Sequence, residues 1–461
     1  MAAFLGRTMW RCNPYGSCGV GYSADRNQRT ITMRTLFDTL EGRKLLSGTD
    51  INLAAAADPM TSEQIASLGA PATVTTSAGS FLVRIAGAGR VRITKNLSSN
   101  SIESIEILDT TARSTITING PAGKLLDTRA FTAAAVVGTI NAPSVRVVNG
   151  ELNLAGVRKI TLGELFGGSA RIGSAQPGVT AAISRISDGG LTIETDVRDL
   201  FVSEWVDLDE AEQTLTAPSI RTLRSDDTFE ASVTLTGALG KATFSALRKC
   251  VFSATSIGSI SAASINAVTM TVGTGALVGQ GPISSISVGG LIGNSTFTGG
   301  FVGRVNAGSL LSSVLQAVSI SAVKVSGETR SSSLRVSSSL GSFSSRTMLI
   351  SNVFAGVKTS VTALPTSTTD FSNISATIGS IRLTAPASGS AVAASNIAAG
   401  TIGSVNLGGI VTSNSNKAHG IYAGFVSNFQ GRTPQAGLVK VRNLGVSGQS
   451  TSEGDFKITL F

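Results

Sequence analysis

The sequence predicts an all-β protein: a right-handed parallel β-helix, or solenoid, with a small β cap at its N-terminal side. Three observations predict this fold class. The chain of 461 residues contains 52 Gly and only 14% charged residues, which is typical of short stacked strands rather than helices. Short runs alternate apolar and polar residues between turn residues, as half-buried strands do. Several short motifs also recur along the chain, which indicates a repeat architecture.

Residues 1–48 are interpreted as a leader. The part before Met33 contains no apolar run of the length that a signal peptide or a membrane span requires. Met33 then opens a segment that carries a short leucine-rich motif, and we interpret this motif as a targeting signal. Its residues are Leu40, Glu41, Arg43, Leu45 and Leu46.

This motif resembles the LEPR-XLL segment found near the start of large, repeat-rich, exported proteins of planctomycete-type bacteria. Phe37 stands at its usual place upstream and Ser47 directly follows the motif, whereas Gly42 stands where that family has proline. The resemblance implies export. Because the family segment closely follows the initiator methionine, it also implies that translation starts at Met33 and that residues 1–32 are not translated.

Residues 49–79 are interpreted as a linker that includes one turn of helix, since Thr61 and Gln64 have the spacing of a capping box. Residues 80–122 show short alternating runs separated by glycine turns, which predicts an antiparallel meander. A solenoid needs a cap over its first unpaired edge, so this segment is predicted to be the N-terminal β cap.

Residues 123–461 are predicted to form the solenoid. Apolar-Gly-Ser-apolar tetrads begin at Ile257, Leu340, Ile378 and Ile402, with a looser copy at Ile283. Spacings of 24 and 26 residues between neighbouring copies predict coils of about 25 residues, hence about 13 coils and a rod about 60 Å long.

A second repeat supports the same coil length. Residues 138–146 match residues 213–221, an offset that corresponds to about three such coils. Side chains facing inward are predicted to be Ile, Val, Leu and Phe, whereas Ser, Thr and Asn face water. The alternative fold is an array of β-sandwiches, which would show hairpin turns instead of regular corners.

The stretch from Ser203 to Gly237 displays the predicted unit most clearly. It contains two alternating runs, Ile220–Leu223 and Phe229–Leu235, separated by a polar turn at residues 225–227. The region from Trp205 to Gly240 is similar to the repeats of the same planctomycete surface proteins. That resemblance implies no catalytic residue at these positions.

One acidic loop is the candidate ligand or metal site: Asp207, Asp209, Glu210 and Glu212. Carboxylates at such spacing suit Ca²⁺, but the glycine turn of an EF-hand and the calcium-binding nonapeptide repeat are missing. Charge runs are usually solvated, so a solvated loop is the favoured interpretation. Apart from Ca²⁺ at this loop, we predict neither a cofactor nor a metal.

Other residues with reactive side chains give no catalytic constellation. His419, the only histidine, lies in a polar stretch and is predicted to be an exposed loop residue. Cys250 is predicted to be a small buried hydrophobic residue, and three cysteines do not support a disulfide framework. Trp205 and Tyr422 are the only Trp and Tyr outside the leader, too few for the aromatic platforms of a sugar-processing groove.

We therefore expect a non-catalytic, exported or cell-surface solenoid with a structural or adhesive role. The net charge of +9 favours an anionic envelope polymer as partner, and another surface protein is the other possible partner. The basic residues look scattered and no nucleic-acid module is visible, which argues against nucleic acid. No transmembrane segment is predicted. The alternative function is a polysaccharide lyase or glycoside hydrolase of the parallel β-helix type, working at the acidic loop.

Overall fold

The structure is a computed structural model that describes residues 61–97, 101–273, 278–385, 390–445 and 450–461. These residues belong to one compact unit, Pro59–Phe461. The predicted leader, the LEPR-XLL-like motif and the proposed start at Met33 lie outside the described residues.

Six strands form a mostly antiparallel group at the N-terminal side, which includes residues 80–122, the segment predicted to be the cap, and extends back to Thr61. Four of its pairings are antiparallel: β1 with β4, β2 with β3, β3 with β6, and β4 with β5. The fifth and sixth strands then pair in parallel with the first coils, which joins the cap to the solenoid. The six strands are β1 (Thr61–Ser67), β2 (Ala72–Thr76), β3 (Gly79–Ala86), β4 (Arg90–Asn96), β5 (Ser101–Leu108) and β6 (Thr115–Asn119).

The turn of helix expected at Thr61 is wrong, because β1 occupies that segment. Part of the segment interpreted as a linker therefore consists of strands, β1 and β2. Tertiary pairing overrides the weak local helix signal: every residue of β1 is paired with β4, and Ala66 is fully buried in the core.

The solenoid itself consists of parallel strands. Its strands are β7 (Leu126–Ala133), β8 (Val137–Leu154), β9 (Val157–Ile172), β10 (Val179–Ile193), β11 (Val197–Val206), β12 (Thr214–Ala217), β13 (Ile220–Phe229), β14 (Ser232–Leu235), β15 (Ala238–Arg248), β16 (Val251–Ala254), β17 (Ser256–Asn266), β18 (Thr269–Val272), β19 (Ile283–Gly293), β20 (Thr296–Leu311), β21 (Val314–Val325), β22 (Glu328–Arg330), β23 (Ser333–Ser345), β24 (Thr347–Leu349), β25 (Asn352–Ala355), β26 (Thr377–Leu383), β27 (Val392–Ala393), β28 (Asn396–Gly409) and β29 (His419–Thr433). A short 3₁₀ turn, Thr368–Asp370, lies between β25 and β26.

Buried side chains stack in columns that run through successive turns. One column can be followed through every register, with each residue paired to the next: Ile105, Phe131, Leu152, Ala170, Leu191, Leu215, Val233, Phe252, Met270, Phe297, Leu315, Leu334, Val353, Ile397, Ile421 and Ile458. All of them are buried. The parallel β-solenoid is thus confirmed, and the described strands from β7 to β29 lack the hairpin pairing of a sandwich array.

The stack has about 16 turns when the cap strand β5 and the segment around Ile458 are included, and its shorter coils contain fewer residues than the tetrads predicted. In the shortest coils, Leu239 pairs with Ile257 and Val302 pairs with Ile320, a step of 18 positions. At about 4.8 Å per turn, the stack is about 70 Å long rather than 60 Å. Longer coils carry insertions, of which the largest separates Leu340 from Ile378, its partner in the next turn.

The apolar-Gly-Ser-apolar tetrads do occupy one position of the coil, as predicted. Ile378 pairs with Ile402 and with Leu340, and Ile257 pairs with Ile283. Their glycines lie close to the turn below: a Cβ on Gly379 would lie 2.3 Å from the carbonyl oxygen of Gly341. The tetrad glycine is therefore explained by close approach of two backbones.

The second predicted repeat does not join equivalent positions. Ile140 stacks, through successive registers, in line with Leu223, whereas Leu215 stacks in line with Leu152. The matching sequences at residues 138–146 and 213–221 therefore lie on different parts of the coil. The similarity arises because both place a Pro-Ser step after an alternating stretch, and not because they share a place in the repeat.

Five serines are buried at one corner, contrary to the prediction that serine faces water. Each Oγ accepts a hydrogen bond from a backbone N–H of the preceding turn, at 3.1–3.2 Å, and donates to the carbonyl two residues earlier in its own turn. The residue before each serine has a positive φ, between 48° and 50°. This serine ladder satisfies backbone groups that the corner would otherwise leave unpaired. It consists of Ser295, Ser313, Ser332, Ser351 and Ser395.

Three short strands follow the last long strand: β30 (Gly437–Leu444), β31 (Ser450–Glu453) and β32 (Phe456–Leu460). β30 pairs antiparallel with one half of β29, and β32 pairs in parallel with the other half. Together they cover the edge that β29 would otherwise expose. This agrees with the interpretation of the last residues as a strand that caps the solenoid.

Candidate functional site

Three carboxylates from two successive turns lie together at the surface of the solenoid. Asp188 belongs to β10, and Asp207 and Asp209 follow β11. One carboxylate oxygen of each residue lies within 4.8 Å of the others. Among the described residues, no other group of three His, Cys, Asp or Glu side chains is this close. We call these three residues the acidic triad.

The sequence predicted four acidic residues in this loop, and the structure brings two of them into the triad. Asp207 and Asp209 belong to it, whereas Glu210 and Glu212 are exposed and lie outside it. Sequence reasoning missed Asp188, which lies one turn before Asp207 and becomes its neighbour only through the parallel pairing of β10 with β11. A search at the observed coil length would have found it.

Hydrogen bonds to Asp188 hold the loop that follows β11. Its Oδ1 accepts the backbone N–H of Leu208 at 2.7 Å, that of Asp209 at 3.2 Å, and the Nε2 amide of Gln213 at 3.2 Å. The φ of Asp188 is 51°, in the left-handed region that Asp tolerates better than most residues. The loop is therefore tied to the preceding turn by one carboxylate.

A buried indole lies behind the same loop. Trp205 is fully buried, and its Nε1 donates to Oε1 of Gln213 at 2.9 Å. Its ring contacts Phe229 edge-on, with centroids 5.4 Å apart. Tyr422 is also buried. Neither ring is therefore a platform for a sugar, as their scarcity suggested.

The position of Asp207 raises the pKa of its carboxyl group above the ordinary value. Desolvation is the largest cause, followed by a hydrogen bond shared with Asp209 and the negative charges of Asp209 and Asp188, while a backbone hydrogen bond from Glu210 opposes the shift. Its Oδ1 is enclosed and has no hydrogen-bond partner among the described residues. A proton or a cation at this atom would relieve the repulsion among the three carboxylates.

Chemically, the triad is suited to a hard cation. Three carboxylate oxygens could supply part of the six to eight oxygen ligands that Ca²⁺ takes. Asp188 Oδ1 already accepts three hydrogen bonds and Asp209 Oδ1 accepts the N–H of Ala211 at 3.0 Å. Oδ1 of Asp207 has no such partner among the described residues, and the rest of a coordination sphere would have to come from water.

The polar turn predicted at residues 225–227 is wrong. β13 continues through this segment to Phe229, and Ser225 points inward, where its Oγ donates to the carbonyl of Ser203 at 3.0 Å. Asp226 and Asp227 are exposed, and Asp226 pairs with Arg224 at 2.7 Å. These two acids belong to an exposed strand face and not to the triad.

His419 is buried, so its prediction as an exposed loop residue is wrong. It begins β29, its Nε2 lies 2.9 Å from the carbonyl oxygen of Val411, and its ring packs edge-on against Phe456 of β32. The polar residues before it are a turn, but the pairing of β29 with β32 covers the imidazole. Cys250 is buried as predicted, and burial raises the pKa of its thiol.

An insertion between β25 and β26, residues 356–376, overhangs the sheet and forms a cleft of about 480 Å³. Arg335 lies at its base, over the ring of Phe354, and donates to the carbonyl oxygens of Lys358 and Val361. Burial lowers the pKa of Arg335. This guanidinium holds the insertion in place, so we assign its hydrogen bonds a structural role and not a ligand-binding one.

The chain was compared with known proteins in three ways. No family model, no curated protein and no solved structure matches it. In the part of the chain that the structure describes, no helix is long and apolar enough to cross a membrane.

Proposed function

We propose that this protein is a non-catalytic solenoid, exported or displayed at the cell surface, with a structural or adhesive role. The observation that carries the proposal is the continuous stack of about 16 turns, bounded by antiparallel strands on both sides. Each turn contacts its neighbours, so the fold makes an extended, regular surface from a narrow core. Such an extended body is suited to holding two surfaces apart and to contacting a partner at several points.

Export is part of this proposal and rests on the sequence. Residues Leu40 to Leu46 resemble the LEPR-XLL segment of exported planctomycete proteins. The low content of charged residues and the many exposed hydroxyl groups of the solenoid agree with an extracellular surface. As partner we propose an anionic envelope polymer, because the chain carries a net charge of +9; another surface protein is the alternative partner.

The acidic triad favours one other function, a polysaccharide lyase or hydrolase. Carboxylates from adjacent coils are what such chemistry needs, and Asp207 and Asp209 would hold Ca²⁺ together with Asp188 in that case. Bound Ca²⁺ would supply charge neutralisation for an acidic substrate. This function is the second candidate because Asp188 and Asp209 already accept hydrogen bonds that hold the loop.

A turnover assay distinguishes the two functions. The full chain is incubated with acidic and neutral polysaccharides, with and without CaCl₂, and new reducing ends and unsaturated products are measured. We expect no turnover under any condition. Turnover that is lost in Asp207→Asn but kept in Glu212→Gln would replace the structural proposal with the enzymatic one, since Glu212 lies in the same loop but outside the triad.

A further inference from the structure

Charge is distributed unevenly along the solenoid. Residues 231–461 contain fifteen Lys or Arg and only four Asp or Glu, a net charge of +11, whereas the whole chain carries +9. Between Asp370 and Glu453 the sequence contains no acidic residue at all. The positive potential of this protein therefore concentrates toward the C-terminal turns.

The strand registers bring scattered basic residues together there, contrary to the impression given by the sequence. One row across β26, β28, β29 and β30 runs from Arg382 through Asn406 and Gln430 to Lys440. The row beside it ends at Arg442, and Arg432 follows two positions after Gln430 on β29. Residues that are far apart in sequence thus share one face.

These rows line two adjoining cavities of about 460 and 320 Å³, which share Arg382, Asn406 and Gln430. We call this surface the basic trough. None of the residues that line it is acidic. Its four cationic side chains are all exposed: Arg382, Arg432, Lys440 and Arg442.

In the described residues, none of these four side chains forms an ion pair or a hydrogen bond. Other arginines of the solenoid differ: Arg146 pairs with Asp127 at 2.8 Å and Arg185 pairs with Glu204 at 3.0 Å, each across a strand register. Where neighbouring turns carry opposite charges, the fold pairs them. In the basic trough like charges gather without partners, which costs folding energy and favours an anionic ligand.

The surroundings of the cations indicate which polyanion fits. The polar side chains between them are amides and hydroxyls, including Ser380, Ser404 and Asn428, which can donate to and accept from sugar hydroxyl groups. The only aromatic ring in the lining is Phe429, which is buried. A single-stranded nucleic acid would need exposed rings on which its bases stack, whereas a charged saccharide can be held by ionic and hydrogen bonds without a ring, so the lining favours an acidic saccharide.

We propose that the basic trough binds a segment of acidic polysaccharide, with its carboxylate or sulfate groups on the four cations and its hydroxyl groups on the amide and serine rows. This inference rests on the proposed function and gives the anionic polymer a place on the molecule. The trough is open at the surface, so a chain can lie along it without a free end.

The test uses the full chain and a trimer of galacturonic acid as probe, with binding measured by calorimetry at low and at high NaCl. The trough variant is Lys440→Glu with Arg442→Glu; the control variant is Lys241→Glu with Arg248→Glu, which makes the same change of charge at exposed positions of β15. We expect saturable binding that weakens with salt, at least about tenfold weaker binding in the trough variant, and less than a twofold change in the control.

Three comparisons make the result decisive. The methyl ester of the trimer, which keeps the sugar but loses its charge, should not bind; equal binding would overturn the role of the cations. Binding of a single-stranded oligonucleotide or of inorganic sulfate as tight as that of the trimer would overturn the assignment to a saccharide. If the wild-type chain binds no acidic trimer, or if both double variants lose binding equally, the assignment to the trough is wrong.

Failure of the trough assignment can be distinguished from failure of the proposed function. A trough variant that still folds, as shown by an unchanged melting temperature, and still binds a complete anionic polymer as the wild type does would overturn the trough assignment alone. Surface display of the protein is measured independently of either variant.

Discussion

Asp207 lies in an unfavourable electrostatic position within the acidic triad. Its Oδ1 is enclosed without a partner among the described residues, and two further carboxylates stand beside it. Its pKa is raised, so folding favours the protonated form. The destabilisation caused by ionising this group is absent below the ordinary pKa of 3.8. It grows as the pH rises from there to the raised pKa of the folded state and is complete above that pKa.

The variant Asp207→Asn should therefore be slightly more stable than the wild type at pH 7, by on the order of 1 °C in melting temperature, because an amide removes the repulsion. The gain should vanish at pH 3.5. Thermal unfolding in EDTA measures both values, with Glu212→Gln as the control that should show neither effect. A loss of stability at pH 7 would show that the carboxylate has a stabilising partner.

Ser332 illustrates why buried serines are kept at one corner. Its Oγ accepts the N–H of Ser313 at 3.2 Å and donates to the carbonyl of Arg330 at 2.8 Å. Ser332→Ala would leave the N–H of Ser313 buried and unpaired, so we expect a loss of about 1–3 kcal/mol in the free energy of unfolding. Ser338→Ala, at an exposed position of β23, should be neutral. Denaturant titration measures the difference, and equal stability of the two variants would contradict the serine ladder.

At the residue scale, sequence reasoning succeeded where alternation decides burial and failed where contacts between turns decide it. Phe229, Ala231, Val233 and Leu235 are all buried, as their period of two predicts. The place of Asp188 in the acidic triad and the serine ladder depend on which residues stack one turn apart. Predicting them from the sequence therefore requires the coil length. The buried imidazole at the start of β29 is covered by β32, a strand distant in sequence, which no local pattern reports.

Among the structural elements, β26, which carries the tetrad that begins at Ile378, shows how sequence specifies stacking. Gly379 lies between Gly341 and Gly403 in adjoining turns, and a Cβ added to any of the three would stand 2.3 Å from a carbonyl oxygen of the turn below. Other turns carry serine at this position, as at Ser321, so a Cβ is accommodated in some turns and not in others. Glycine is therefore needed where a Cβ would meet a carbonyl oxygen of the turn below.

We expect Gly379→Ala to lower the free energy of unfolding by about 1–3 kcal/mol, because the clash is with backbone and cannot be relieved by a side-chain rotation. The matched control is Ser321→Ala at the same coil position, which is exposed and should change stability by less than about 0.5 kcal/mol. Urea unfolding of both variants tests the difference. Similar small effects in both would mean that the turns separate freely at this position.

Insertions also explain the error in the predicted coil length. The tetrads at Ile257 and Ile378 precede coils that contain insertions, and these two spacings set the prediction. Coils without insertions, such as that from Leu239 to its partner Ile257, are shorter and lack a full tetrad at their start. The motif was predicted correctly, but its most visible copies flank the longer turns.

For the stack as a whole, further strands at each side cover its open edges. β30 and β32 together cover β29, whose backbone would otherwise present a row of free N–H and C=O groups. Removal of residues 434–461 should therefore cause self-association through β29, seen as a concentration-dependent increase in mass by light scattering, while the intact chain at equal concentration serves as control. A truncated chain that stays monomeric would show that β29 is protected in another way.

The central claim is that this solenoid works outside the cell as a surface body. It is tested most directly by labelling intact producing cells with a membrane-impermeant amine reagent, fractionating them, and sequencing the N-terminus of the recovered protein. We predict labelled protein in the envelope or medium and no peptide from residues 2–32. Unlabelled protein confined to the cytoplasm, with its N-terminal residues intact, would contradict the claim.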